Sequence, residues 1–196
     1  MQNNDPINPS DPIQPKAPDV ALTQPWDNPG RKRLPVLAAV VLVVVSLIAA
    51  YTALFGKSKA APEVTFKTLS GEHLTTQQLR GKVVLVNFWA TSCVTCVKEM
   101  PMLVETHQKY APQGYETIAV AMNYDRPDFV LNFMQTRGLP FKVAYDVDNS
   151  VAPAFFDTRV TPTTFLIDKQ GQIIKRYVGE PPKLELHALI EKYLRR

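Results

Sequence analysis

Apolar residues fall into three regimes along the chain. Residues 1–30 show neither period 2 nor period 3.6, and their few apolar positions are scattered among Pro, Asn, Asp and Gln. Leu34–Phe55 is an uncharged run of 22 residues dominated by Val, Leu, Ala and Ile, with no face polar enough to meet water. From about residue 62 the pattern is that of a folded domain. It predicts a short strand at Val64–Phe66, then a helical turn opened by Thr75 with Gln78 three residues on, the spacing of a capping box. Lys82–Trp89 carries Val83, Val84, Leu85, Val86, Phe88 and Trp89, as strands buried on both faces do. A helix is predicted from about Cys93 to Tyr110 and a second buried strand at Thr117–Met122. Asp125 then caps a helix with Phe129, Val130, Phe133 and Met134 on one side, ended by Gly138. A short strand at Phe141–Ala144 and a brief helix near Ser150–Phe155 follow. Thr164–Ile167 and Ile173–Val178 flank Asp168-Lys169-Gln170-Gly171 as a hairpin. A last amphipathic helix carries Leu184, Leu186, Leu189, Ile190 and Leu194. The order β-α-β-α-β-α-β-β-α predicts an α/β domain built on a central mixed sheet flanked by helices.

The other two regimes set the domain organisation. Residues 1–30 read as a disordered Pro-rich tail, with seven prolines. Residues 31–55 read as a transmembrane anchor: a helix of 22 residues rises about 33 Å, enough for a hydrocarbon core of about 30 Å. Residues 56–61 read as a linker and 62–196 as the folded domain. Arg31-Lys32-Arg33 lies on the N-terminal flank of the apolar run, and only Lys57 and Lys59 follow it. The positive-inside rule then places the tail in the cytoplasm and the domain outside it. A cleaved signal peptide competes, since Ser58-Lys59-Ala60 is a tolerable cleavage motif. The apolar run is too long for a usual signal core, however, and about 30 residues precede the basic cluster.

Charge narrows the classes further. The net charge is +4, and the segment to Arg33 balances four Asp against four Lys and Arg. The excess is spread over the domain with no dense basic run, so nucleic acid is not an expected partner. The 2 cysteines stand three positions apart. They cannot staple a long loop, and with no further Cys or His at ligand spacing they do not make a closed zinc site. No cofactor and no metal are expected.

The pair has a redox context instead. Cys93 follows a buried strand by four residues and opens a helix, where free N–H groups and the helix dipole stabilise a thiolate. Cys96 lies one turn further on the same side. Cys93 is thus the expected nucleophile, and Cys96 the more buried, resolving thiol.

Val86-Asn87-Phe88-Trp89-Ala90-Thr91-Ser92-Cys93-Val94-Thr95-Cys96-Val97-Lys98-Glu99-Met100-Pro101 resembles the TlpA/ResA-like branch of thioredoxin-fold proteins. Val160-Thr161-Pro162-Thr163-Thr164-Phe165-Leu166-Ile167-Asp168 resembles its second signature. The resemblance covers most of 62–196 and implies a thioredoxin fold. It also implies a membrane-anchored thiol–disulfide reductase in the bacterial cell membrane, with its catalytic domain periplasmic. Its substrates would be disulfides of exported proteins, with cytochrome c and copper-centre assembly factors as the usual clients. A chain with one Cys pair cannot renew itself, so a transmembrane thiol carrier is the expected electron donor. By the same resemblance Pro162 is a cis proline facing Cys93, Thr161 offers main-chain hydrogen bonds to a bound thiol substrate, and Glu99 lies near the cysteines as a proton acceptor for Cys96. Otherwise Glu99 would be an exposed helix carboxylate.

Three features depart from relatives. Asn87 stands where thioredoxin has a buried Asp, which shifts weight to Glu99. Ser92 replaces the usual Trp and opens the rim of the site. Val94-Thr95 lacks both the proline of many relatives and the histidine of strong oxidants. His73, His107 and His187 are expected in surface or packing roles, and Trp89 in the core or as a wall of the site. Two alternatives stand beside the reductase: a copper metallochaperone holding Cu(I) between the thiolates, and a thiol peroxidase. The latter wants a Thr three residues before the Cys, where this chain has Ala90.

Overall fold

The computed structural model describes residues 33–55 and 59–196, in two units, Met1–Phe55 and Gly56–Arg196. The Pro-rich tail, Arg31, Lys32 and the linker to residue 58 lie outside the described residues. In the first unit, helix α1 runs Arg33–Phe55, 23 residues. Its side chains are described over 38–50, where all are exposed. Ser46 returns its hydroxyl to the Leu42 carbonyl at 2.7 Å. Among the described residues no helix is long and apolar enough to cross a membrane, and the span expected of Leu34–Phe55 reaches past those side chains.

The second unit is built on a five-stranded sheet of order β5-β4-β3-β6-β7, from β3 (Val83–Trp89), β4 (Tyr115–Ala121), β5 (Lys142–Tyr145), β6 (Thr163–Ile167) and β7 (Ile173–Val178). Strands β3, β4 and β5 run parallel, and β6 and β7 complete the sheet antiparallel. The helices are α2 (Val94–Tyr110), α3 (Pro127–Arg137), α4 (Val151–Ala154) and α5 (Lys183–Leu194).

Strand β3 is central and wholly buried, as its apolar run predicts. Its alternation supplies two cores. Val83, Leu85 and Trp89 pack with Leu103, Tyr110, Leu186 and Ile190 beneath α2 and α5. Val84, Val86 and Phe88 pack on the other face with Phe66, Phe155 and Phe165. Asn87 falls by alternation on the α2 side, a polar group inside an apolar layer.

Four local outcomes differ from the patterning. A small hairpin, β1 (Thr65–Lys67) with β2 (His73–Thr75), pairs Phe66 with Leu74, a strand too short to carry a period. The capping box forms at its end: Thr75 N–H donates to Gln78 Oε1 at 2.8 Å, and Gln78 N–H donates to Thr75 Oγ1 at 3.2 Å. Strand β4 starts at Tyr115, before the predicted Thr117, because Val83 and Val84 pair with Tyr115 and Glu116. Lys59–Ala61, read as linker, already belongs to the domain. Ala61 N–H donates to Gly171 O at 2.9 Å, and Ile173 N–H donates to Lys59 O at 2.8 Å. Finally, α3 is capped differently: Arg126 is its N-cap and uses no side-chain bond, while Pro127 opens the helix.

Short α4 depends on one buried carboxylate. Asp146 accepts from the N–H groups of Ser150, Val151 and Ala152, each at 2.9 Å. These charge-assisted bonds satisfy donors that a four-residue helix cannot pair internally. Asp146→Ala is expected to lower unfolding stability by about 3 kcal/mol, read as a fall in the urea midpoint.

Candidate functional site

The loop Ala90–Ser92 carries the chain from β3 to α2 and ends in the two cysteines. Cys93 is the N-cap of α2, just outside the helix predicted to include it, and its Sγ accepts the Cys96 N–H at 3.2 Å. The two form a disulfide with a Cα separation of 5.2 Å. Cys93 is partly exposed and Cys96 fully buried. The sulfur at the helix terminus is thus the one a second disulfide can reach. It also receives the Cys96 N–H and the helix dipole, which stabilise a thiolate.

Glu99 lies one turn beyond Cys96 on the same helix face. It is buried, not an exposed helix carboxylate. The Asn87 Nδ2–H donates to Glu99 Oε1 at 2.8 Å and also to Thr164 Oγ1 at 3.0 Å. Among the described residues Glu99 Oε2 has no hydrogen-bond partner. Burial pushes the Glu99 carboxyl up to about 7; the Asn87 bond opposes the rise, and the charge of Glu180 adds to it. A carboxyl that titrates near neutrality beside the resolving thiol can take and return a proton.

Pro162 closes the site from the other side of β3. Strand β6 pairs antiparallel with β3, Phe88 opposite Thr163. That register carries Thr161 and Pro162 past the C-terminal end of β3, where the cysteine loop departs. The Thr161–Pro162 bond is cis. Pro162 is buried, with its carbonyl accepting from Gly179 N–H at 2.8 Å. The Thr161 hydroxyl lies 3.3 Å from that of Tyr124. Cys93, Cys96, Glu99, Thr161 and Pro162 therefore lie at or near one end of the sheet.

One site residue was misread from the sequence. Asp125, expected as a helix cap, is buried and turns to the cysteine loop. Its Oδ2 accepts from Thr91 N–H at 2.5 Å and its Oδ1 from the Thr91 hydroxyl at 2.7 Å. Its backbone carbonyl accepts from Tyr145 O–H at 2.9 Å. The β4–α3 turn thus braces the loop that presents Cys93. An Asp just after a buried strand fits either role, and only the partner strand's position decides. Trp89 is fully buried, its ring 5.2 Å from that of Phe133. His107 packs against Tyr115 and Phe141, and His187 lies 2.9 Å from the Thr106 hydroxyl, both away from the cysteines in packing roles. Among the described residues no three His, Cys, Asp or Glu converge as a metal would require.

Known proteins share this arrangement. Residues 56–190 match the model of the Redoxin family. The chain belongs to the redoxin family, in its ResA/TlpA-like branch. It is 37% identical over 135 residues to the thiol-disulfide oxidoreductase ResA of Bacillus anthracis, covering 68% of this chain and 76% of that relative. ResA of Bacillus subtilis (strain 168) is 30% identical over 165 residues, covering 80% of this chain and 91% of that one. The solution structure of a candidate thioredoxin from Neisseria meningitidis superposes with a TM-score of 0.66 at 41% identity, over 71% of this chain and 93% of that one. A thioredoxin-family thiol:disulfide interchange protein from Chlorobium tepidum TLS gives 0.64 at 26% identity, over 70% and 97%. With the Cys93–Cys96 pair in place, this redoxin is a thiol–disulfide oxidoreductase with a thioredoxin fold.

The buried carboxyl gives a pH signature. Glu99 holds its proton more tightly in the folded chain than at its ordinary value near 4.5. Its contribution to stability is therefore full below about 4.5 and is lost as pH rises toward about 7. The oxidised wild type is expected to lose on the order of 3 kcal/mol across that interval relative to Glu99→Gln. Urea unfolding of both at pH 4.5, 6 and 8 checks this; parallel curves would refute it.

Proposed function

We propose that this redoxin is a membrane-anchored extracytoplasmic reductase of disulfides in exported proteins, cytochrome c and copper-centre assembly clients among them. The observation that carries the chemistry is a partly exposed Cys93 at the start of α2, above a buried Cys96 with buried Glu99 one turn on. In the reduced protein the Cys93 thiolate attacks one sulfur of the client disulfide and displaces the other as a thiolate. A mixed disulfide results. Glu99 takes the Cys96 proton, and the Cys96 thiolate attacks Cys93 Sγ, releasing the client's second thiolate. Two electrons pass to the client, and the pair ends as the Cys93–Cys96 disulfide. A transmembrane thiol carrier restores the dithiol. The Thr161 backbone, beside Pro162, offers main-chain hydrogen bonds to the client during the exchange.

The direction rests on local charge. Val94-Thr95 adds no positive charge beside the thiolates. An ionised Glu99 disfavours a second negative charge and raises the thiol pKa values. Both favour donation of electrons over oxidation of clients. The location rests on Arg31-Lys32-Arg33 ahead of Leu34–Phe55 and on a helix whose described side chains are apolar but for Ser46.

Cys93→Ser is expected to abolish disulfide exchange, and Cys96→Ser to accumulate mixed disulfides with clients, read on non-reducing gels after acid trapping. Faster alkylation of Cys96 than of Cys93 in the reduced protein would reverse these roles. Protease added to spheroplasts is expected to digest the catalytic domain of membrane-bound full-length chain. Recovery of free periplasmic protein starting near Ala60 would identify a cleaved leader instead.

A further inference from the structure

Beside the cysteine loop lies a cleft of about 580 Å³ whose walls include Ser92, Tyr124, Arg126, Phe129, Phe133 and Arg137. Ser92 directly precedes Cys93, so one end of the cleft opens beside the cysteine loop. Residues 126, 129, 133 and 137 share one face of α3. From Arg126 to Arg137 that face is about 16 Å long, room for about five residues of extended chain. Phe129 is 51% exposed and Tyr124 56%, although the patterning placed Phe129 on the apolar side of this helix. A second hollow, of about 320 Å³, continues past Phe133 and Arg137 to Val97, Pro101 and Val104 on α2, the helix that carries Cys96.

The charges of the cleft are unequal. Arg126 is neutralised by Asp128, at 3.1 and 2.7 Å. The Asp125 carboxylate is occupied by Thr91 and by the Arg126 N–H. Arg137 stacks over the Phe133 ring at 5.6 Å and, among the described residues, faces no carboxylate. The cleft thus offers aromatic rings near Cys93 and an uncompensated cation at its far end.

We propose that this cleft is a docking groove for the client polypeptide, selecting segments that carry an apolar side chain beside the target cysteine and an Asp or Glu about five residues away. Apolar client atoms cover Phe129 and Phe133, and the carboxylate pairs with the Arg137 guanidinium. Ser92 permits this because a small side chain leaves the groove open up to Cys93. The groove rests on the reductase reading and names its substrate class.

The test uses two synthetic peptides with the same intramolecular disulfide followed by Phe, one with Glu five residues from the second cysteine and one with Lys there. The full-length reduced chain is expected to reduce the Glu peptide about fivefold faster at low salt. That ratio should fall toward one at about 0.5 M salt. Arg137→Glu should invert the preference, and Arg137→Lys should keep it. A wild-type ratio of one, or a ratio that survives both salt and Arg137→Glu, overturns the groove. So does concentration-dependent dimerisation abolished by Arg137→Glu in sedimentation, which would assign the face to a second copy. Reduction of 5,5′-dithiobis(2-nitrobenzoate) by the wild type separates the failures: present with a ratio of one, the groove alone falls; absent, the thiol chemistry falls with it.

Discussion

Strand β3 is hydrogen-bonded along both edges and covered on both faces, so each of its side chains must be accommodated by the interior. Most are apolar and stabilise the fold by burial, about 2 kcal/mol for a fully buried large side chain. Asn87 is the exception, and its cost is offset only by hydrogen bonds. It reaches Thr164 on the neighbouring strand and Glu99 on the helix above. The sheet, the second signature strand and the redox helix therefore meet at one amide. An apolar residue at 87 would leave the Glu99 carboxyl without the one donor it has among the described residues.

This arrangement explains how the redox helix can carry a buried carboxyl. Burial raises its pKa to about 7, and a neutral carboxyl is far cheaper to bury than a carboxylate. The same group stays ionisable within the range where thiols exchange. An aspartate at position 87, as in thioredoxin, would place a second acid against Glu99, and the two would titrate as a coupled pair. The amide leaves one acid to serve one thiol.

Much of this could be read from the sequence because it depends on local rules. The run from Val83 to Trp89 fixes the central strand, and a Cys just after it marks the start of the next helix. Pro162 as a cis residue came from the likeness of Val160–Asp168 to a known signature, since nothing in the local residues selects that isomer. The burial of Glu99 was not legible: the likeness placed it near the cysteines, but a helix glutamate is ordinarily solvated, and only the alternation of β3 brings Asn87 beneath it. Asp125 was legible as a polar residue after a strand but not as a brace, because its partner Thr91 lies 34 positions earlier and meets it only through the parallel pairing of β3 and β4. Likewise β1 was expected one residue early, at Val64–Phe66, but its partner β2 spans 3 residues, too few for a period to register.

The point where the chain enters the domain bears on how force would pass through it. Lys59–Ala61 is strapped to Gly171 and Ile173, beside the turn between β6 and β7. That turn lies at the end of the sheet where Ile167 pairs with Val84, opposite the end that carries Cys93. Tension on the segment ahead of Lys59 would therefore be taken up by the backbone bonds at Ala61 and Ile173 and by Asp168, whose carboxylate holds the Gln170 and Gln172 N–H groups. The cysteine loop lies outside that load path. Its geometry is set by β3 and Asp125, so a pull at Lys59 would strain the far end of the sheet before it disturbed the sulfur pair.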